Sequence, residues 1–244
     1  METPVLDFSK PAVVIDELFD PDESVREQFK NRFSAQVISF SEAIAPAFAR
    51  FQKFSEDGQC CAQGALCCGF VHGVLDDLVT SVKLLLTGKL TASGNLFRQA
   101  IEGMCMAIMC SHQDMLSIGD KECSYWKLVE AGAKEAEGHL APKQLVKNWD
   151  RLGLTLQGAE QLKTNVASYN QHSHAGIMAM AYRMELAPNG AIYIGGHFDE
   201  AKVAGYETEL IQRIELAKLT VQMIDSVWPN IRVLTENAHK DVPV

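Results

Sequence analysis

Apolar residues recur at three- and four-residue intervals along most of the chain, and this period predicts α-helices. The clearest run is GNLFRQAIEGMCMAIMCSH, residues 94–112, which we expect to form one helix. On a helical wheel the large apolar residues of this region fall within about 60° of one another. They are Leu90, Phe97, Ile101, Met104 and Ile108. The pattern predicts a central helix with one core-facing stripe.

Similar periods predict further long helices over residues 59–87, 158–184 and 200–227. Another helical stretch begins after Pro21, and Pro46 is expected to kink or break it. Shorter helices are expected over 123–140 and 142–153, and a loop over 114–121. Pro229 is expected to end the last long helix. The turn at residues 87–89 predicts that the helices on either side form an antiparallel hairpin.

Two segments depart from the helical pattern. Residues 1–22 hold three prolines and are expected to form an extended N-terminal arm. Asn189-Gly190 followed by the strand-like AIYIG predicts a small β-hairpin excursion near 185–197. We find no internal repeat, no low-complexity linker and no domain boundary after residue 22. The predicted fold is therefore all-α, a single helical-bundle domain over 23–240 made of long antiparallel helices.

Charge and cysteine content narrow the class of protein. The 244 residues include 22 Lys and Arg against 31 Asp and Glu, a net charge of −9, which disfavours binding to nucleic acid. The first residues lack the basic start and long apolar run of a signal peptide. No apolar stretch reaches the roughly 18 residues expected of a membrane span. Seven cysteines, an odd number, fit free thiols in a reducing compartment, so we expect a cytoplasmic protein.

The central helix carries a charged pair at the edge of its apolar stripe. Arg98 and Glu102 are four residues apart, so their side chains are neighbours on one helix face. One interpretation is structural, an intrahelical ion pair that also fixes a neighbouring helix. The other is functional, a guanidinium and a carboxylate held in a groove between helices.

The second notable stretch is YNQHSHAG, residues 169–176. On the helical wheel Tyr169 and Ser173 share the apolar face with Leu162 and Val166, so both are expected to point inward. His172 and His174 lie on opposite flanks, about 160° apart, and cannot both line one groove of a regular helix.

No metal or cofactor site is expected. Cys60, Cys61, Cys67 and Cys68 form two adjacent pairs seven residues apart, which on a helix places them about 10 Å apart, too far for one zinc ion. We interpret the cysteines as small buried apolar residues. Asp199 is expected to cap the last helix.

The segments GNLFRQAIEGMCMAI and YNQHSHAGIMAMAYR together resemble a loose group of bacterial all-helical proteins that are distantly similar to HEPN domains, which bind nucleotides and are often ribonucleases. In that group one helix carries an Arg followed four residues later by a Glu, matched by Arg98 and Glu102. A later helix carries a short Asn/Ser-x-His-Gly-like segment. Its matches are Asn170, Ser173, His174 and Gly176. The resemblance covers about residues 60–200 and implies a site on these residues.

One feature of HEPN ribonucleases is missing. Those enzymes place an Arg, then four to six arbitrary residues, then a His within one helix, whereas the nearest Arg upstream of His172 and His174 is Arg151. A ribonuclease would therefore need Arg98 to supply the guanidinium from another helix.

Two functions follow as hypotheses. The first is a noncatalytic binding module in which an anionic small molecule or nucleotide meets Arg98 in an interhelical groove and stacks on Tyr169. The groove would be lined by Arg98, Glu102, Tyr169, Asn170, Ser173 and His174. The alternative is a ribonuclease or phosphotransfer enzyme with His174 as general acid/base and Arg98 stabilising charge. In a third interpretation these residues are only buried polar contacts. A homodimer is also expected, through the small residues of 62–73.

Overall fold

The computed structural model describes residues 7–59, 61–173, 176–186 and 190–240, with side chains throughout except at 171–173 and 237–240. Two strands, β1 (Leu116–Ile118) and β2 (Lys121–Cys123), pair antiparallel. The helices are α1 (Pro11–Phe19), α2 (Glu23–Gly58), α3 (Ala62–Leu85), α4 (Leu90–Ser111), α5 (Tyr125–Glu130), α6 (Ala141–Lys147), α7 (Leu156–Ser173), α8 (Ile177–Ala181) and α9 (Val203–Lys240).

The fold is an all-α bundle built around the α3–α4 hairpin. These two helices make the most extensive contact in the described chain, as the short connection between them predicts. Helix α9 packs along α2 and also against α3 and α4, while α7 packs on α4. The predicted stripe of α4 is buried throughout: Leu90, Phe97, Ile101, Met104 and Ile108 are all at most 8% exposed. Helix α4 is thus the central helix.

Neither proline expected to interrupt a long helix does so. Helix α2 continues through Pro46 and α9 continues through Pro229. In each case the flanking residues are buried, Ile44 and Ala47 around the first proline and Val227 and Ile231 around the second. Burial on both sides holds the helix together although each proline removes a backbone hydrogen bond. The irregular backbone in α2 lies elsewhere, at Phe33 (φ −123°, ψ 19°).

Other local predictions are corrected. Part of the arm expected to be extended is helix α1, and Pro11 occupies its first turn, where a missing N–H costs little. The helix expected over 123–140 is only the short α5 followed by 3₁₀ turns, and the loop expected over 114–121 contains β1 and the start of β2. The helix expected over 158–184 is divided into α7 and α8.

The excursion near 185–197 is present in reduced form. Met184 and Ile192 form a single antiparallel bridge, flanked by hydrogen bonds from the Glu185 amide to the Ala191 carbonyl and from the Tyr193 amide to the Arg183 carbonyl. Asn189, which we used to predict the turn, lies outside the described residues. We refer to residues 183–186 and 190–195 as the excursion.

Helix α3 is long and apolar enough, by length and composition, to cross a membrane. The sequence analysis missed it because His72, Asp76 and Asp77 interrupt the apolar run. Its main stripe is buried in the bundle, from Cys67 to Leu85. The length and composition of this one core helix are therefore weak evidence for a membrane span.

Candidate functional site

The Arg98–Glu102 ion pair is present as predicted. Arg98 Nε lies 2.8 Å from Glu102 Oε1, and the two side chains are 21% and 12% exposed. Glu102 faces the segment before α6, where its Oε2 lies 3.5 Å from the position that a Cβ on Gly138 would occupy. The pair therefore lies at the edge of the core, between α4 and this connecting segment.

Tyr169 points inward, as the helical wheel predicts, and is 4% exposed. Its ring packs on Phe97 with centroids 4.8 Å apart, and its hydroxyl donates to Glu209 Oε2 at 2.8 Å and also contacts the Gln212 side-chain amide. Burial, reinforced by the Glu209 carboxylate, raises the pKa of Tyr169. Tyr169 thus joins α7 to α9, while Arg98 and Glu102 pair with each other along α4.

Arg213, which is not among the predicted site residues, is fully buried on α9. Its Nε donates to Ser81 Oγ at 2.7 Å, its Nη2 donates to Ser93 Oγ at 2.8 Å, and its Nη1 donates to Glu209 Oε2 at 2.6 Å. The guanidinium also lies 4.8 Å from the centre of the Phe97 ring. All its nitrogens have protein partners, so Arg213 connects α3, α4 and α9 within the core.

The sequence did hold a signal for Arg213. Glu209 and Arg213 are four residues apart within the apolar stripe of α9, the same spacing that singled out Arg98 and Glu102. The acceptors Ser81 and Ser93 are more than 100 residues away in sequence, and only the packing of three helices brings them to the guanidinium.

A second buried polar cluster anchors the excursion. Lys202 Nζ contacts His197 Nε2 at 3.1 Å and donates to the Met184 carbonyl oxygen, while Asp199 Oδ2 accepts from the Leu186 amide at 3.0 Å. Asp199 Oδ1 also accepts from the Ala201 amide at 2.9 Å, which confirms its capping role at the 3₁₀ turn (residues 200–202) that leads into α9.

Burial governs the ionisation of this cluster. It lowers the pKa of Lys202, against the opposing effect of Asp199, and it lowers the pKa of His197, where the Lys202 charge adds to the effect. For Asp199, burial acts to raise the pKa, but the hydrogen bonds from Leu186 and Ala201 and the Lys202 charge outweigh it. The pKa of Asp199 therefore lies below its ordinary value. Lys202 and Asp199 thus hold the backbone of the excursion against the start of α9 in a largely buried environment.

A cavity of about 490 Å³ lies between the start of α4 and the excursion. Its walls come from residues 88–92 and Asn95 on one side, and from Tyr182, Arg183 and residues 193–195 on the other. Tyr193 is fixed there by stacking on His197, at 4.3 Å between ring centroids, and by a hydrogen bond from its hydroxyl to Glu185. The two sides of the cavity are about 90 residues apart in sequence.

The cavity wall combines a helix N-terminus with one arginine, and the Glu17 and Glu185 carboxylates lie behind it, against Gly195 and Tyr193. No described side chain caps the α4 N-terminus, so the amide groups of its first turn and the positive end of the helix dipole lie at the cavity. Lys89 bonds to Asp22, whose charge it balances. Arg183 is exposed, and none of the described residues pairs with its guanidinium. An anionic group is the ligand that such a wall favours.

The cavity adjoins the helix face that carries the predicted ion pair. Asn95, Arg98 and Glu102 follow one another at three- and four-residue intervals along one side of α4. Asn95 lines the cavity, and Arg98 lies about one helical turn further along.

The remaining predicted site residues are on or after α7. Asn170 is exposed, and Ser173 is the last residue of α7. The Ser173 side chain and all of His174 lie outside the described residues, so the predicted groove that includes them stays a prediction.

A separate groove opens between α7 and α9, with α4 as its floor. It consists of two adjoining cavities of about 530 Å³ and 240 Å³, which share Gly158, Leu162, Leu219 and Gln222. The smaller cavity is lined mainly by apolar side chains, among them Met104, Ile108 and Met223. No arginine of the described chain lines this groove, and the α7 N-terminus beside it is capped by Thr155, whose hydroxyl accepts from the Gly158 amide.

Among the described residues no group of three or more His, Cys, Asp or Glu side chains is arranged to hold a metal ion. Cys67, Cys68, Cys105 and Cys110 are buried, as expected, and Cys61 accepts a hydrogen bond from the Gly64 amide at the start of α3. No protein-family model, curated protein or solved structure matches the chain.

Proposed function

We propose that this chain is a noncatalytic cytoplasmic protein that binds an anionic small molecule, such as a nucleotide or another phosphorylated metabolite, in the α4 cavity. The observation that carries the proposal is the cavity itself, which joins the uncapped α4 N-terminus to Arg183 and two tyrosines. A volume of about 490 Å³ lies within the range of about 300–1,000 Å³ typical of small-molecule sites.

Each part of the cavity has a role in this proposal. The α4 amides and Arg183 bind the anionic group, because both present donors and positive potential. Tyr182 and Tyr193 offer apolar ring surface to a base or another planar group. Asn95 adds a polar side chain to the wall, and Arg98, paired with Glu102, lies about one helical turn beyond it.

The test is a thermal-shift and calorimetric titration with pyrophosphate, AMP and ATP, and with adenosine as the uncharged control. We expect at least one anion to raise the melting temperature of the wild type by several degrees, while adenosine alone has little effect. Arg183→Ala should weaken that anion about tenfold or more, because it removes a charge-assisted hydrogen bond. Arg232→Ala, which removes an exposed arginine on α9, is the matched control and should bind like wild type.

Two results would contradict the proposal. One is that none of these anions binds at millimolar concentration. The other is that Arg183→Ala and Arg232→Ala bind the ligand equally well, which would place the site elsewhere. If the anion binds and only Arg98→Ala abolishes binding, the groove predicted from the sequence is favoured over the α4 cavity.

A further inference from the structure

The excursion has the reverse of the usual arrangement of polar and apolar side chains. Because Met184 and Ile192 are directly paired, alternation along the two segments places Met184, Leu186, Ile192 and Ile194 on one face. The opposite face carries Arg183, Glu185 and Tyr193, which line the cavity or bond to each other. On the polar face Glu185 and Tyr193 are partly buried and Arg183 is exposed at the cavity, whereas the apolar side chains are exposed, with Ile194 at the rim of the cavity.

The exposures confirm this assignment. Met184, Leu186, Ile192 and Ile194 are 37%, 57%, 73% and 60% exposed. Helix α8, which leads into the excursion, adds Ile177, Met178 and Met180 at 80%, 40% and 57%. We call these seven residues the outer face. They include neither an Asp, Glu, Lys nor Arg.

Together the seven residues expose a large apolar area. If a fully exposed large apolar residue presents about 200 Å², the seven residues leave about 800 Å² in contact with water. The largest apolar patch on a typical monomer is about 300–600 Å². A standard protein–protein interface buries about 800 Å² on each partner. The combined exposed area of the seven residues is thus about that of one side of a standard interface.

Helix α1 lies beside the end of the excursion, since the Glu17 carboxylate lies against Gly195. None of the described α1 residues is buried, and Ile15, Leu18 and Phe19 are 53%, 74% and 83% exposed.

We infer that a second copy of this chain docks on the outer face, with the excursion and α8 of each copy packed against those of the other about a two-fold axis. Because the seven residues carry no charge, two copies meet there without like-charge repulsion although each chain has a net charge of −9. A two-fold contact uses the same patch on both subunits, so each chain supplies the whole of the apolar area that its partner needs. The inference does not depend on ligand binding in the α4 cavity.

The first test is the mass of the full chain by sedimentation velocity, at about 1 to 100 μM, because dimerisation follows mass action. We expect a dimer of twice 26.9 kDa, about 54 kDa. Ile192→Glu should give a monomer, because it places a charge in the apolar contact on both copies. Ile38→Glu is the matched control, since Ile38 is 58% exposed on α2, and this variant should remain dimeric.

Hydrogen exchange of the wild type at low and high concentration provides a test that needs no variant. We expect concentration-dependent protection in residues 177–186 and 190–195. A wild type that is monomeric at every concentration overturns the inference, whether or not it binds lipid vesicles or another protein. So does a dimer that survives Ile192→Glu, or one that protects instead the small-residue face of α3 around Gly69 and Gly73.

Discussion

At the scale of single residues, burial decides what an ion pair does. Arg50–Asp225, Arg98–Glu102 and Arg213–Glu209 are all arginine–carboxylate contacts of 2.6–2.8 Å. The Arg50 side chain is 36% exposed and that of Arg213 is fully buried. Water can replace Asp225 as the partner of Arg50, but it cannot reach the guanidinium of Arg213. Only the buried Arg213 pair is therefore needed to hold helices together.

We therefore expect Arg213→Met to lower the free energy of unfolding by about 2–3 kcal/mol, because Ser81 and Ser93 lose a charged hydrogen-bond donor in the core and the partly buried Glu209 carboxylate loses its counter-ion. Arg50→Met, which breaks the exposed pair with Asp225, should change it by less than about 1 kcal/mol. Urea denaturation followed by circular dichroism measures both. Equal effects of the two substitutions would show that the Arg213 network is not a stabilising contact.

The pKa of Asp77 leads to a prediction about pH. Burial on α3, together with the Asp76 charge, raises the pKa of Asp77 to about 6, from an ordinary value of 3.8. The folded state thus favours the protonated form, and the stability gained from that form is lost as the pH rises through about 6. Asp77→Asn should stabilise the protein at pH 8, and the gain should shrink towards pH 4. Denaturation midpoints across this range measure it, and Asp120→Asn, at an exposed position, should show no such trend.

At the scale of elements, the excursion is held by direct contact between backbones. Gly88, at φ +72°, belongs to the α3–α4 turn, and Gly196 belongs to the segment before α9. The two backbones touch at these glycines. A Cβ on Gly196 would lie 1.6 Å from the Thr87 carbonyl oxygen, and one on Gly88 would lie 2.2 Å from the His197 carbonyl oxygen. Only glycine permits this approach, which also sets the width of the α4 cavity.

Gly196→Ala should consequently separate the excursion from the α3–α4 turn. We expect it to lower the free energy of unfolding by more than about 1 kcal/mol and to abolish any ligand binding in the α4 cavity. Gly205→Ala is the matched control, because a Cβ there meets nothing within 4 Å inside a helix and should be neutral or stabilising. Thermal unfolding compares them, and a neutral Gly196→Ala would contradict the close approach.

At the scale of the whole molecule, the burial of the described cysteines predicts which thiols react in the native state and which react only after unfolding. Cys61 and Cys123 are partly exposed, whereas Cys67, Cys105 and Cys110 lie in the core formed by α3 and α4. Burial raises the pKa of Cys105 and leaves it no access to solvent. Its thiol can react only when the helices separate.

Pulsed alkylation with peptide mass spectrometry should therefore give two classes of thiol. Cys61 and Cys123 should react within the native state, and Cys67, Cys105 and Cys110 only at the rate of global unfolding. Adding denaturant below the transition should speed the second class much more than the first. If Cys105 reacts as fast as Cys123 in native buffer, the α3–α4 core opens locally, which this packing does not predict.

The sequence by itself determined the all-α class, the core stripe of α4, the inward position of Tyr169 and the Arg98–Glu102 pair. Each depends on helical period or on a four-residue spacing, and these local rules hold wherever the helix finally packs. The tertiary structure decided whether Pro46 and Pro229 break their helices, because burial on both sides of a proline is a property of the bundle. It also decided the partners of Arg213 and the α4 cavity, because residues far apart in sequence meet there only through helix packing. No local sequence pattern specifies these long-range contacts, and the candidate functional site lies among them.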